Sequence, residues 1–452
     1  MTNEDLPLDL PVQTSTEDLA VVQPQKPQQK VAPRALANPN LRLYFAGQVV
    51  SMIGTWMQQM ALSWLIYRLT NSAYMLGLVA FASQAPTFLL TPFAGIIADR
   101  VNRKRLVIIT QSLAMLQAGL LAALAFNEKP VIWHLIALGA FSGLINAFDL
   151  PTRQTFLVDM LQTREELPNA IAVNSSITTL TRLIGPSFAG LFIAWAGEAM
   201  CFVVNAVSYI AVIVALFFVK ATQKPLSGSR PGAIAQLKEG FKYAFSFSPI
   251  RVLLALIAAV SLFVMPYSVL MTAFAKDVFH GDATTLGILT AASGVGSLAG
   301  ALFLATRKGV LGLGRWIVIS CAMFGLGLIG FGLSTSLWIA LPVLALVGFG
   351  GMVLMAASNT ILQTLVDEDK RGRVMSIYTM CFMGLAPFGS MAAGALSTRI
   401  GLGPTVIASG VIGVLLAIGF ASRLEKIRRD ARPIYIERGI LTAEAEMKIL
   451  NS

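Results

Sequence analysis

The sequence predicts an all-α integral membrane protein with twelve transmembrane helices in two related six-helix bundles. Three observations support this prediction. Of the 452 residues, 56% are hydrophobic and only 13% are charged, whereas a soluble domain is about 25% charged. Apolar runs recur along the chain, each close to the roughly 20 residues that a helix needs to cross a bilayer. Lys and Arg collect in one set of the intervening loops, as they do in cytoplasmic loops.

The chain divides into two sets of spans with polar segments around them. Residues 1–40 are polar, rich in Pro and Gln, and lack the apolar segment of a cleaved signal peptide. We expect them to form a disordered cytoplasmic tail. Six spans follow within 41–219, then a cytoplasmic linker over 220–249, six spans within 250–423 and a basic cytoplasmic tail over 424–452. The predicted spans are 43–67, 74–98, 106–126, 132–156, 169–195, 199–219, 252–274, 284–306, 316–334, 337–362, 374–398 and 404–422.

The distribution of basic residues predicts the orientation. Of the 34 Lys and Arg residues, Arg182 lies inside a span and four lie on the side opposite the loop at 100–105. These four are Arg68, Lys129, Lys276 and Arg399. The asymmetry predicts cytoplasmic termini and a multi-pass protein of the cell (inner or plasma) membrane. It also explains the net charge of +11 without a nucleic-acid partner.

The two halves share short sequence matches. Leu76-Gly77 in the second predicted span corresponds to Leu286-Gly287 in the eighth, 210 residues further on. Gln154-Thr155 at the end of the fourth span corresponds to Gln363-Thr364 directly after the tenth. These matches indicate an internal duplication.

A charged hairpin joins the second and third predicted spans. It contains Gly95, Asp99, Arg100, Arg103 and Lys104, spaced as in the signature G-x-x-x-D-R-x-x-R-[KR] of the major facilitator superfamily. The sequence therefore resembles this superfamily. The resemblance implies two parallel six-helix repeats about an axis along the membrane normal, with the substrate path between them.

The hairpin is also a candidate contact between the halves. Asn102 stands where the family often has Gly. Gly95 would let the second and eleventh spans approach closely, and Asp99 would gain from the N-terminal dipole of the eleventh span beside Arg373. The resemblance implies a cytoplasmic latch that joins the halves while the inner side is closed. The alternative is that Asp99 only neutralises a basic loop.

Within the superfamily, five segments resemble the branch of the enterobactin exporter: 149–154, 166–174, 182–190, 291–300 and 371–376. The resemblance covers about 41–423. It implies export of siderophores, drugs or similar amphipathic molecules, driven by proton antiport. A lipid or lysolipid flippase on the same scaffold is the alternative. A membrane sensor or an intramembrane enzyme is a further reading, since a fold does not fix a function.

Two ionisable positions inside the predicted spans are candidates for coupling or substrate binding. Asp149 lies in the fourth span and Arg182 in the fifth, where an unpaired charge costs several kcal/mol. Arg153 follows Asp149 by one helical turn, in the order that favours an ion pair. Asp149 therefore has two possible partners, Arg153 and Arg182. The pair could carry protons or substrate, or could simply join two helices, and Arg182 could instead bind an anionic group of the substrate.

Two prolines accompany these charges. Pro151 leaves the carbonyl of Ala147 without its helical donor, and Pro186 does the same for Arg182. Because such carbonyls need water or another donor in a membrane, a polar cavity is expected here. Gly185, Pro186 and Gly190 also resemble part of the antiporter motif, although the glycine pattern is incomplete.

The sequence does not favour an enzyme. The two histidines, His134 and His280, have no ligand spacing around them, and the three cysteines lie singly in apolar runs. A Walker loop is not found, so an ion gradient is the expected energy source. We expect no metal and no cofactor. The expected partners are a small-molecule substrate, protons and membrane lipid, and the expected state is a monomer.

Overall fold

The computed structural model describes residues 37–127, 130–161, 163–219, 233–307 and 309–441, and most of them are helical. Three π-helical turns interrupt the long helices of the second half: Val260–Val264, Phe274–Val278 and Met380–Gly384. We number the α-helices of the described residues in chain order. They are α1 Pro39–Thr70, α2 Ala73–Arg100, α3 Arg103–Ala125, α4 Ile132–Asp159, α5 Leu167–Phe218, α6 Ala233–Ser246, α7 Ser248–Ala259, α8 Tyr267–Ala273, α9 Ala283–Ala305, α10 Leu313–Leu333, α11 Leu337–Leu365, α12 Arg371–Thr379, α13 Ala386–Ile400, α14 Leu402–Ala421 and α15 Leu424–Glu437.

Helix occupies all twelve predicted spans, but the number of membrane crossings remains a prediction. Among the described residues, ten helical segments are long and apolar enough to cross a membrane. Helix α1 is not among the ten, because its sequence is interrupted by polar residues such as Gln48, Gln58 and Gln59. The fifth and sixth predicted spans are joined in α5.

Helix α5 reverses direction at Gly197. Its backbone there has φ 81° and ψ 169°, a conformation that is accessible to glycine and costly for residues with a Cβ atom. We call residues 167–196 the first arm of α5 and residues 198–218 its second arm. The break supplies the turn that the sequence predicted between the fifth and sixth spans.

Helix α1 begins before its predicted span. Asn38 caps it, because its side-chain oxygen accepts a 3.0 Å hydrogen bond from the Asn40 amide. The helix therefore starts at Pro39, and Pro is favoured at the first helical position because its missing N–H would have no partner there.

Small residues allow close packing within each half. In the N-terminal half, α1 to α5, a Cβ atom on Gly54 would lie 2.6 Å from Asn205 Oδ1 on the second arm of α5. In the C-terminal half, α7 to α14, a Cβ on Gly296 of α9 would collide with the Ala345 carbonyl of α11. Close backbone approach of this kind increases van der Waals contact between membrane helices, where lipid removes the usual hydrophobic driving force.

The two halves meet through a pair of equivalent glycines. A Cβ on Gly77 of α2 would collide with the Ser390 carbonyl of α13, and Gly287 of α9 packs against Gly190 on the first arm of α5. These contacts lie at the same end of the helix bundle as Tyr67, and we call it the Tyr67 end. We call the opposite end, where Arg103 begins α3, the Arg103 end. The repeated Leu-Gly match in the sequence therefore marks two helix crossings between the halves.

A polar contact between the halves lies at the same end. The Tyr67 hydroxyl of α1 donates a hydrogen bond to Asp277 Oδ2. Lys276 Nζ donates to Asn71 Oδ1 at 2.7 Å and lies 5.7 Å from the centre of the Tyr67 ring. The Tyr67 end is therefore joined by both glycine packing and polar contacts.

Among the described residues, two α-helices lie outside the predicted spans. The predicted linker contains α6, whose Tyr243 hydroxyl donates to Asp367 Oδ2 at 3.1 Å. Burial raises the pKa of Tyr243, so its hydroxyl remains a neutral donor. The predicted C-terminal tail contains α15, which buries Ile427 and Ala431 against the C-terminal half. The N-terminal tail through residue 36 lies outside the described residues.

Candidate functional site

Asp149 is buried in a polar network between α3 and α4, with 3% of its surface exposed. Its Oδ1 atom accepts hydrogen bonds from Thr110 Oγ1 at 2.7 Å and Gln111 Nε2 at 2.8 Å. Its Oδ2 atom lies 2.6 Å from Arg153 Nε, one turn further along α4. These contacts provide the partners that a charge at membrane depth requires.

The structure distinguishes between the two partners that the sequence left open for Asp149. Arg153 forms the ion pair. Arg182 lies on the first arm of α5, is exposed, and its guanidinium carbon is 5.7 Å from the centre of the Trp56 ring. That distance is within the range of a cation–π contact. Gly185 makes room for this tryptophan, because a Cβ there would lie 2.5 Å from Trp56 Cβ.

Two tyrosine hydroxyls lie near the Arg153 guanidinium. Tyr44 and Tyr209 are close enough to interact with it electrostatically. Arg153 Nε lies 2.6 Å from Asp149 Oδ2. The contact is an ion pair without the alignment of a hydrogen bond, and the Nε–H has no other acceptor among the described residues. Thr55 Oγ1 lies 3.5 Å from the Tyr209 hydroxyl. The ion pair is thus continuous with a set of hydroxyls that reaches α1.

A second buried network consists of amides. Asn205 Nδ2 donates to Gln58 Oε1 at 2.8 Å, and Gln58 Nε2 donates to Gln117 Oε1 at 3.0 Å. Gln117 Nε2 donates to the Leu138 carbonyl at 3.1 Å. All three side chains lie within predicted spans, but sequence alone could not show that they meet. The network joins α1, α3, α4 and the second arm of α5.

A polar stripe runs along the first arm of α5. Ser175, Thr179 and Arg182 are exposed and recur at helical spacing, so they share one face. Further along this face, Pro186 and Gly190 approach Gly287 of the C-terminal half. The face is therefore packed against the other half at the Tyr67 end and accessible toward the Arg103 end.

The structure describes the contacts of three residues in the hairpin, Asn102, Arg103 and Lys104. Arg103 Nη1 donates to both carboxylate oxygens of Asp159, at 2.9 and 3.0 Å, and both residues are buried. Lys104 Nζ donates to the Val219 carbonyl at 2.8 Å. Asn102, the departure from the family pattern, caps α3 through its Oδ1 atom. These contacts lie within the N-terminal half.

The predicted latch partners lie partly outside the described residues. The structure places the backbone of α2 through Arg100, but the side chains of Asp99 and Arg100 and the surroundings of Gly95 are not described. Arg373, the predicted partner on the eleventh span, pairs with Glu239 of α6. The latch therefore remains a prediction, and α6 supplies an acid that the sequence analysis did not assign to Arg373.

Comparison with known proteins identifies the family. A family model of the major facilitator superfamily, described as transmembrane secretion effector, matches residues 30–436. The chain belongs to this family. Members of the transmembrane secretion effector family are transporters rather than enzymes, as the sequence predicted.

Curated relatives of this family member are transporters of several kinds of small molecule. The chain is 26% identical over 394 residues to the staphyloferrin A transporter of Staphylococcus aureus, covering 86% of this chain and 98% of the relative. It is 25% identical to the multidrug efflux pump Tap of Mycolicibacterium fortuitum, covering 87% and 98%. It is 24% identical to macrolide efflux protein A of Streptococcus pyogenes, covering 84% and 95%. The predicted siderophore and multidrug exporter branch is confirmed.

Solved structures agree on the fold. The nucleoside transporter NupG superposes with a TM-score of 0.69 at 12% identity, covering 85% of this chain and 98% of that one. A bacterial homologue of the iron transporter ferroportin, in an inward-facing state, superposes with a TM-score of 0.66 at 20% identity, covering 85% and 99%. The predicted all-α major facilitator fold is confirmed.

Proposed function

We propose that this chain is a secondary active exporter of small amphipathic molecules, siderophore-like or drug-like, that exchanges substrate for protons by alternating access. It acts as a monomer in the cell membrane with both termini in the cytoplasm. The names of the relatives support export of such molecules. The excess of basic residues on one side supports the orientation.

The polar stripe on α5 is the observation that carries the proposal. Its exposed residues, Thr179 and Arg182 among them, continue a face whose other end packs against the C-terminal half at Gly190. A surface that lies between the halves and opens toward one end is suited to receive substrate from that side. Arg182 beside Trp56 offers both charge and an aromatic face, which suits an amphipathic anion.

Substrate binding can be tested by ligand-induced thermal stabilisation of the purified protein. The panel contains staphyloferrin A, a macrolide and a cationic dye. Arg182→Gln should weaken stabilisation by anionic ligands, because it removes the charge, while Arg182→Lys should retain part of it. Arg68→Gln is the control, since Arg68 is exposed at the Tyr67 end and pairs with Glu198. Equal stabilisation of wild type and Arg182→Gln by every ligand would contradict the role of Arg182.

Asp149 is the proposed proton-coupling group. Its carboxylate is buried, paired with Arg153, and continuous with the hydroxyls around Tyr209. Proton binding would remove the charge that holds this pair, so protonation and a conformational change can be linked. Asp149→Asn should abolish uphill transport into everted vesicles with an acidic lumen while leaving substrate binding intact.

A folding control is needed for this variant. Asp149→Asn leaves Arg153, whose side chain is 19% exposed, without its counter-charge, and breaking a fully buried pair costs up to about 3–5 kcal/mol. The double variant Asp149→Asn with Arg153→Gln removes both charges. We expect it to restore folded yield without restoring uphill transport. Uphill transport at the wild-type rate in either variant would show that Asp149 is not the coupling group.

A further inference from the structure

A polar cavity of about 370 Å³ opens at the Arg103 end of the C-terminal half. It lies among α11, α12 and the segment after α15, and its lining residues are Thr360, Gln363, Thr364, Arg371 and Arg438. An adjoining cavity of about 460 Å³ shares Thr360 and Thr364 with it. The two cavities therefore adjoin along this part of α11, and we call them together the depression.

The adjoining cavity is mainly apolar. Leu304 of α9, Leu313 of α10 and Ala356 of α11 contribute to its wall, together with Val310 and Ile440. The depression thus has a cationic polar part and an apolar part side by side. This is the surface chemistry that complements an amphiphile with an anionic headgroup.

The two arginines of the polar part retain donors for a ligand. Arg371 Nε is buried and has no hydrogen-bond partner among the described residues. Its Nη2 atom lies 3.8 Å from Glu368 Oε1, an exposed carboxylate that holds it weakly. Arg438 Nη2 donates to the Val366 carbonyl at 3.0 Å and lies 3.9 Å from Asp367 Oδ1. Because a guanidinium has five N–H donors, these contacts leave several of them for an anion.

A third arginine borders the apolar part. The guanidinium of Arg307 lies 5.0 Å from the centre of the Phe303 ring and 4.9 Å from that of Trp316. Both rings hold it by cation–π contact. A positive charge is thereby kept at the rim of an apolar wall.

Helix α15 places this depression near a membrane surface. Ile427 and Ala431 are buried against the protein, while Lys426, Arg428 and Arg429 are exposed. Because α15 follows the last predicted span directly, the predicted orientation puts it at the cytoplasmic side of the membrane, where anionic lipids attract basic residues.

We propose that the depression binds an anionic phospholipid, with its phosphate on Arg371 and Arg438 and an acyl chain along Leu304, Leu313 and Ile440. A free phosphate would occupy the polar part and leave the apolar part empty. Basic pockets between membrane helices on the cytoplasmic side bind anionic headgroups in this way. This site is separate from the α5 stripe proposed for substrate.

Native mass spectrometry of the full chain in detergent tests the proposal. The protein is titrated with phosphatidylglycerol, with phosphatidylcholine and with inorganic phosphate. We expect retained adducts with phosphatidylglycerol, and roughly fivefold weaker binding for each of Arg371→Gln and Arg438→Gln. Arg399→Gln is the matched control, because Arg399 is exposed at the Tyr67 end and does not line the depression.

The arms of the experiment separate the possible anions. Equal binding of phosphatidylglycerol and phosphatidylcholine would overturn the proposal. Displacement of the lipid by inorganic phosphate at equal concentration would assign the site to a free anion instead and would also overturn it. Arg438 also donates a hydrogen bond to the Val366 carbonyl, so its substitution can lower stability. Arg371→Gln is therefore the deciding variant, provided that its melting temperature equals that of wild type. Unchanged lipid affinity in that variant would refute the assignment.

Discussion

The packing of Gly190 against Gly287 predicts that one methyl group can shift the conformational equilibrium. In Gly190→Ala the new Cβ would lie 2.7 Å from the Ala283 carbonyl oxygen and 3.0 Å from Gly287 Cα. Both neighbours are backbone atoms, so the helices must separate. Overpacking of this kind costs about 1–3 kcal/mol, which corresponds to a change of roughly 5- to 150-fold in the ratio of two states.

The clash exists while the Tyr67 end is closed and disappears when the halves separate there. Gly190→Ala should therefore favour the state that is open at the Tyr67 end. Spin labels at Asn127→Cys and Thr335→Cys report this, in a background without the three native cysteines, because the two positions are exposed at the Tyr67 end of opposite halves. Pulsed electron–electron double resonance spectroscopy should show a longer distance between the two labels in Gly190→Ala than in wild type.

Two controls separate this effect from loss of stability. Gly119→Ala places its Cβ where no atom lies within 4 Å, so it should leave the distances unchanged. Gly296→Ala creates a clash with Ala345 inside the C-terminal half, so it should lower the melting temperature without moving the labels apart. An unchanged distance distribution in folded Gly190→Ala would refute the reasoning.

Three further predictions concern charged and polar contacts. Arg103→Ala should lower the free energy of unfolding by about 3–5 kcal/mol, because it leaves Asp159 buried without its partner; a melting temperature equal to wild type would contradict this. Tyr67→Phe should weaken closure of the Tyr67 end by about 1.5–3 kcal/mol, the value of a hydrogen bond to a charged group; the same pair of spin labels measures it, and unchanged distances count against it. Asp99→Asn should favour the state open at the Arg103 end and slow transport, and cysteine pairs across α2 and α12 report it; equal cross-linking and equal transport would exclude the latch.

Local sequence pattern was enough to predict part of the structure. Apolar runs located the helices, and the duplicated glycines at 77 and 287 marked positions that the structure places at the crossings between the halves. Helix α6 was missed although its signal was present. Ile234, Leu237 and Phe241 recur at helical spacing within the polar linker, which indicates an amphipathic helix.

The sequence could not predict contacts that depend on how helices are rotated about their axes. Asp149 had Arg153 on its own helix and Arg182 on another as candidates, and the choice depends on which face of α5 turns toward α4. The amide network of Gln58, Gln117 and Asn205 likewise joins residues up to 147 positions apart. Burial and rotation decide such pairs, and neither is a property of a short sequence window.

The charged network around Asp149 has no counterpart at the matching positions of the other half. The match between Gln154 and Gln363 carries Asp149 to Ser358, which is buried, and Arg153 to Leu362. Neither of these two side chains carries a charge. If Asp149 couples transport to protons, the two halves move as equivalent bodies while the proton acts on one of them.

Unlike the Asp149 network, the contact between Tyr67 and Asp277 joins equivalent positions of the two halves. The two residues are 210 positions apart, the same offset that relates Gly77 to Gly287. They are therefore equivalent positions of the two halves that touch each other, and equivalent points of a twofold repeat can touch only close to its axis. A hydrogen bond near the axis joins the two halves at their centre, whereas the two glycine crossings lie on either side of it.

Breaking the Tyr67 contact should accordingly weaken both crossings together. The effects of Tyr67→Phe and Gly190→Ala on the spin-label distances should therefore be less than additive. Strict additivity of the two variants would show that the crossings open independently.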